Sequence, residues 1–312
     1  MVKTYTLAVN VFNGGDLFIK TLASIEKVYA HFNEVYISIT ESEHSLIDHK
    51  NCQKFRIPNL RLNKHKSPGC KEHFINTIKN LKTDFVLFIG HDDICHEDGI
   101  IEAKHILENS DRSIAVYGSN MLSDNNYLKK QEIIQSKCGI TSSDFILKRL
   151  NNEFYLNVSG IFNSVTSLKK TIPLMEMNNE SYWLDMIAIT TPYTKLIKQT
   201  YNPICTVIIH KNQMSNNVNN FQEYCKDGIW FHLMMIFFES SSIRFPYYFK
   251  EIERFGSYIN RDVFNNYLLF LYYKLSFSRL LFSRIYVRVF IFIFILLARN
   301  YISKIRMLKI IR

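Results

Sequence analysis

The chain has 312 residues, 47% of them apolar and 21% charged, with 24 Phe and 18 Tyr, which excludes a wholly disordered polymer and a disulfide-stapled miniprotein. Its formal net charge of +10 is unevenly spread: nine cations and no acid lie beyond Asp262, leaving 29 basic against 28 acidic residues up to and including it. A charged partner is therefore to be sought at the C-terminal segment. Six cysteines stand apart without a C-x-x-C pair, and the first residues run straight into strand-like sequence, so reduced thiols in cytosol are expected.

Thr6–Val11 reads as a strand closed by the turn signal Phe12-Asn13-Gly14-Gly15. Asp16 stands where a helix N-cap would, and Phe18, Leu22, Ile25 and Tyr29 repeat at helical spacing. A second strand, Val35–Ile39, ends in the polar cluster Thr40–His44. After an irregular stretch, His73–Leu81 suits a helix and Phe85–Ile89 is a fully apolar strand. Strands alternating with helices predict βαβ units, hence an α/β fold with a mostly parallel central sheet flanked by helices. The carboxyl ends of these strands should converge on one crevice. No G-x-G-x-x-G follows the first strand and no P-loop is present, which argues against a dinucleotide dehydrogenase and a P-loop enzyme.

The third predicted strand runs into Gly90-His91-Asp92-Asp93. Adjacent acids repel each other unless they are solvated or neutralised by a hard divalent cation such as Mg²⁺ or Mn²⁺. The plainer alternative is that Asp92-Asp93 caps a helix beginning near Glu97.

The strand order, the acidic end of the second strand and this third-strand motif together resemble glycosyltransferase family 2, of the GT-A fold, over roughly residues 4–215. In that resemblance Glu41 falls at the second acidic place after the second strand, and the family's Asp-x-Asp-Asp becomes Gly90, His91, Asp92 and Asp93, without its first acid. What it implies is transfer of a sugar from a nucleotide-diphosphate donor, assisted by Mn²⁺ or Mg²⁺. Val11, Phe12 and Asn13 would line the base site, Glu41 would accept a hydrogen bond from the base, and His91 and Asp92 would lie at the donor. Asp92 would bind the metal, with Asp93 helping or holding the following loop. His210, in an H-x-x-x-x-S stretch, would complete the metal shell or meet the diphosphate. An inverting transfer needs a carboxylate base; Asp185, an acid amid apolar residues, is preferred, and Glu180 is the alternative. The small residues of Asn157–Phe162 would let a sugar acceptor approach the backbone.

Val289–Ala298 is ten apolar residues long, half of the roughly twenty that a span needs. With its flanking cations it reads as a monotopic helix on the inner face of the cell membrane, suited to anionic headgroups. The expected organisation is a nucleotide-sugar half at 1–105, an acceptor half at 106–240 and a helical, basic-hydrophobic, membrane-associating region at 241–312. The expected partners are a nucleotide-diphosphate sugar, a polyprenyl-diphosphate-linked saccharide and the cytoplasmic membrane surface, with no nucleic acid. The function expected is a hexosyl- or N-acetylhexosaminyltransferase for a surface polysaccharide of the O-antigen or capsule type. The alternatives are a sugar nucleotidyltransferase, a non-catalytic membrane- or nucleic-acid-binding protein, and an inactive relative that has lost the acid at Gly90.

Overall fold

The computed structural model describes residues 2–42, 44–66, 69–111, 114–123, 128–130, 139–141, 144–145, 159–176 and 194–209. The chain divides into two compact units, Met1–Glu176 with Leu184–Asn217 and Met177–Trp183 with Val218–Arg312, and every described residue belongs to the first.

From the N-terminus, β1 (Tyr5–Val11), α1 (Gly15–Val28), β2 (Glu34–Thr40), α2 (Ser45–Gln53), β3 (Leu60–His65), α3 (Cys70–Asn80) and β4 (Phe85–Gly90) alternate. Next come β5 (Ile94–Cys95), α4 (Glu97–Glu108), β6 (Ile114–Tyr117), β7 (Ser119–Ser123), β8 (Leu128–Lys130) and β9 (Ile140–Thr141). The series ends with β10 (Ile161–Ser164), α5 (Val165–Glu176), β11 (Leu196–Gln199) and β12 (Cys205–Ile209). Eight strands form the central sheet in the order β3-β2-β1-β4-β10-β6-β11-β9. The first four are mutually parallel, β10 runs against both of its neighbours, β11 is parallel to β6, and β9 is antiparallel to β11. The mostly parallel α/β sheet read from the sequence is therefore present. A second small sheet, β5-β12-β7-β8, was not among the expected elements.

Alternation along the parallel strands assigns the two faces. Leu7, Val9 and Val11, with Val35, Ile37, Leu87 and Ile89, share one buried cluster with Phe18, Leu22 and Ile25 of α1 and Ile100, Ala103 and Leu107 of α4. The opposite face meets α3, where Phe74 packs on Phe88 at 4.7 Å and Thr77 Oγ1 donates to Asn10 Oδ1 at 2.7 Å. Helix α5 packs on α3.

Two local expectations are corrected. Asp16 is not the N-cap of α1: the helix starts at Gly15, its N-cap is Gly14 with no side-chain cap bond, and Asp16 lies in the first turn. Gly15 has φ +57, a left-handed conformation in which a glycine is unstrained. The stretch read as irregular between the second strand and His73 contains both α2 and β3. The four described cysteines, Cys52, Cys70, Cys95 and Cys205, form no disulfide with one another. No helix among the described residues is long and apolar enough to cross a membrane. Val289–Ala298 lies outside the described residues.

Gly99, in the first turn of α4, admits the loop before β12 so closely that a Cβ would fall on the backbone of Pro203 and Ile204. Because backbone cannot swing aside as a side-chain tip can, Gly99→Ala is expected to lower unfolding stability by about 1–3 kcal/mol. Urea denaturation measures this directly.

Candidate active site

Parallel pairing aligns the carboxyl ends of β1, β2 and β4, with Val11 opposite Ile39 and Asn10 opposite Gly90. The carboxyl ends of the strands thus lie at one edge of the sheet, and the residues beyond it come from three loops. After β1, Val11 is buried, Phe12 half-buried and Asn13 exposed. Asn13 adopts φ 48, which asparagine tolerates better than most residues. Its Oδ1 accepts a hydrogen bond from Ser42 Oγ at 2.9 Å, joining the loop after β1 to the loop after β2. Glu41 is exposed, and its N–H donates to His65 O at 2.8 Å, continuing the β2–β3 pairing past the strand ends.

Three residues not singled out from the sequence support these loops. Asp48 of α2, 1% exposed, accepts the Gly14 N–H on Oδ2 at 3.0 Å. The protein's own carboxylate thus engages the N-terminus of α1, where the helix dipole favours an anion and where a dinucleotide fold sets a phosphate. His73 and His65 stack at 4.6 Å, Phe12 packs edge-on to His73 at 5.1 Å, and Thr40 Oγ1 lies 2.9 Å from His73 Nδ1. Burial, together with the neighbouring His65, lowers the His73 pKa to about 4, and burial lowers that of His65 as well. Both rings are therefore neutral at pH 7, an aromatic support and not a cationic one. Their pattern could not be found from spacing, since β3 and the first turn of α3 were not recognised.

The acidic motif is held by a chain of hydrogen bonds. Thr21 Oγ1 of α1 donates to His91 O at 2.9 Å, and Asp93 N donates to Gly90 O at 3.2 Å, which folds Gly90–Asp93 into a turn. Gly90 N–H donates to Ser159 Oγ at 2.6 Å, and that hydroxyl donates onward to Asp93 Oδ2. Asp93 Oδ1 accepts the Ile208 N–H of β12 at 3.0 Å. Asp93 is 1% exposed, whereas His91 and Asp92 are half-buried. Of the two roles expected for Asp93, these bonds describe the loop-holding one. They also answer the capping alternative: the Asp93 oxygens are bonded elsewhere, and α4 has His96 as N-cap with no side-chain cap bond.

A Cβ at Gly90 would stand 2.6 Å from Asp93 Oδ2 and 2.7 Å from Asp92 Oδ1, so both carboxylates fold back over this glycine and occupy the space a side chain would take.

Burial, and then the charge of Asp92, push the Asp93 pKa up to about 7 from an ordinary 3.8, against the pull of its hydrogen bonds. Between those values the unfolded chain gives up a proton that the native protein keeps. This contribution to stability is complete below about pH 4 and is lost as the pH rises through about 7. Metal-free protein is expected to show that decline in urea unfolding, and Asp93→Asn is expected to flatten it.

Among the described residues no three His, Cys, Asp or Glu side chains converge as a metal cage. Mg²⁺-like ions do not require one: they take one or two carboxylates and complete their shell with water and substrate phosphates. A half-buried Asp92 on an anchored turn at the carboxyl edge fits that need. Asp185, Glu180 and His210 lie outside the described residues, as do Asn157 and Val158. Of the small-residue segment, Ser159 and Gly160 are described and buried, and Ser159 bonds Asp93.

No protein-family model matches the sequence, and no curated protein matches it. Solved structures do. A Staphylococcus aureus TarS structure spanning its residues 1–349, in complex with UDP-GlcNAc, superposes with TM-score 0.60 at 13% identity over 82% of this chain and 72% of that one. The same TarS segment with UDP gives TM-score 0.55 at 14% identity, over 81% and 70%. A further S. aureus TarS structure gives TM-score 0.52 at 15% identity, covering 83% of this chain and 50% of its own. The shared architecture is the GT-A fold, as the sequence resemblance implied.

Proposed function

We propose that the protein is a glycosyltransferase that moves a sugar from a nucleotide-diphosphate donor to a saccharide acceptor. The observation that carries this reading is the convergence, at one sheet edge, of the anchored Gly90–Asp93 turn with the loops bearing Asn13 and Glu41. The likeness in fold to a protein crystallised with UDP-GlcNAc makes a uridine diphosphate sugar the first donor to try.

In this reading the loop Val11–Asn13 and Glu41 receive the base, with Phe12 backed by His73. His91 lies at the donor, and Asp92 together with His210 holds the divalent cation, Mn²⁺ or Mg²⁺. That ion, when bound, supplies positive charge to the oxygens of the departing diphosphate. Asp93 keeps Asp92 in place by tying the turn to Ser159 and Ile208. Asp185, or else Glu180, takes the proton of the acceptor hydroxyl as it attacks from the face opposite the leaving group, which inverts the anomeric centre.

The finer assignment is a hexosyl- or N-acetylhexosaminyltransferase acting at the cytoplasmic membrane surface on a polyprenyl-diphosphate-linked saccharide, in O-antigen or capsule synthesis. Nine cations without an acid beyond Asp262, set among Phe, Ile and Leu, support residues 241–312 as the membrane-associating region. An acceptor confined to the bilayer then meets the enzyme at high effective concentration. A panel of nucleotide sugars with Mn²⁺ or Mg²⁺, scored for transfer and for slow donor hydrolysis, tests the reading. Turnover of at least one sugar donor is expected, and absence of both binding and turnover across the panel overturns it.

A further inference from the structure

Helix α2 is built inside out. It buries Asp48, Asn51 and Cys52, while Leu46 and Ile47 stand 65% and 54% exposed. A surface helix ordinarily does the reverse, so an exposed apolar pair opposite a buried polar one makes this face a candidate contact surface. Of the inward polar groups, Asp48 accepts the Gly14 N–H on Oδ2, its Oδ1 having no partner among the described residues, and Asn51 Oδ1 accepts a bond from Lys54 Nζ at 2.9 Å. Nothing comparable accounts for the outward pair.

At 100° per residue, Leu46, Ile47, Lys50 and Lys54 fall within a sector of about 100°, opposite the buried trio. Lys50 and Lys54 are exposed, and the helix's one acid, Asp48, is buried. The outer face therefore presents two branched aliphatic tips beside two cations and no anion. It also has a definite position. Asp48 directly follows Ile47 and bonds the loop after β1, and Ser42, three residues before Ser45, bonds Asn13. The first turn of α2 is thus the rim of the edge that carries Asn13 and Glu41.

We infer that the outer face of α2 is a lipid-contacting surface. Leu46 and Ile47 enter the acyl boundary of a bilayer, and Lys50 and Lys54 meet anionic headgroups. Aliphatic tips flanked by cations match an anionic interface on both counts. A second copy docked by a two-fold axis would set Lys50 and Lys54 against their own kind. A polar soluble partner would leave the aliphatic tips wet. The same pairing of cations with aliphatic residues recurs, without acids, beyond Asp262, so two separate parts of the chain carry chemistry suited to one surface. The purpose given to this contact rests on the proposed function, since a bilayer at the rim would hold a lipid-linked acceptor beside the donor. The contact itself rests on α2 alone.

Hydrogen–deuterium exchange of the full chain, with vesicles of phosphatidylcholine with and without phosphatidylglycerol, tests it. The segment 44–54 is expected to exchange about threefold or more slowly with the anionic vesicles than with neutral ones. The variant Leu46→Gln/Ile47→Gln, altered only at exposed positions, is expected to lose this protection while keeping its unfolding midpoint. Unchanged exchange at 44–54 would overturn the inference, even where peptides beyond residue 262 become protected. So would protection that persists in the variant, or protection that grows with protein concentration in the absence of vesicles. Donor turnover in the same samples is read separately, so loss of the sugar-transfer reading leaves the vesicle result standing, and the converse holds.

Discussion

Asp92→Asn is expected to lower donor turnover by about two to three orders of magnitude while shifting unfolding stability by less than about 1 kcal/mol. The two halves of this expectation come from the same geometry. Asp92 is half-buried on a turn whose shape is set by other groups, namely Thr21, Ser159 and Asp93. An isosteric amide leaves those bonds alone and relieves a like charge beside a buried carboxyl. Under the proposed function it removes the anionic oxygen that would hold a divalent ion, and with it the stabilisation that ion would give to charge on the leaving diphosphate. Donor hydrolysis and urea unfolding of wild type and variant, measured side by side, check both halves. A variant that unfolds early would show a structural role, and one that keeps full turnover would remove Asp92 from the site.

Asp93→Ala is expected to act in the opposite way, lowering stability by about 2–4 kcal/mol. The alanine removes the carboxylate that accepts from the Ser159 hydroxyl and the Ile208 N–H, in a region where Asp93 itself is 1% exposed. It also unties β12 from the end of β4, two strands that belong to different sheets and are joined here through this side chain. Asp93→Asn should retain most of the stability, because its carbonyl oxygen still accepts from Ile208 and its amide can donate to Ser159 Oγ. A loss equal to that of alanine would show that the negative charge, and not the hydrogen-bond pattern, holds the turn. Thermal or urea unfolding near pH 7 separates the two variants.

How far the sequence could be read depended on whether each segment followed its own period. β1, β2 and β4 are buried on both faces because helices cover both, so their largely apolar runs stand out without any knowledge of neighbours. The helix of Phe18, Leu22 and Ile25 was visible for the same reason: all three side chains are fully buried. Helix α2 was missed because its pattern is inverted, with Asp48 and Asn51 inside and Leu46 and Ile47 outside. β3 was missed because an edge strand reading Leu-Arg-Leu-Asn-Lys-His carries the charges that guard an open edge. Two-residue strands such as β5 have no period at all; their pairing with β12 is decided by contacts more than a hundred residues apart.

The site divides along the same line. Asp92 and Asp93 were legible because acids at the end of an apolar strand break a strong local pattern. Their difference in burial and bonding was not, because Ser159 and Ile208, which bind the buried Asp93 while Asp92 stays half-buried, arrive from distant segments. Asp48, His65 and His73 escaped notice because a buried polar residue has no signature in a single sequence until its partner is known. Gly90 looked like a lost acid; in three dimensions it is the space into which two carboxylates fold.

The most direct test of the central claim is a calorimetric titration of UDP into wild type and Asp92→Asn, each with and without Mn²⁺. Mn²⁺ is predicted to tighten UDP binding to the wild type by about tenfold or more and to leave the variant unchanged. An equal response to Mn²⁺ in both proteins, or none in either, would contradict a metal held by Asp92 against the diphosphate.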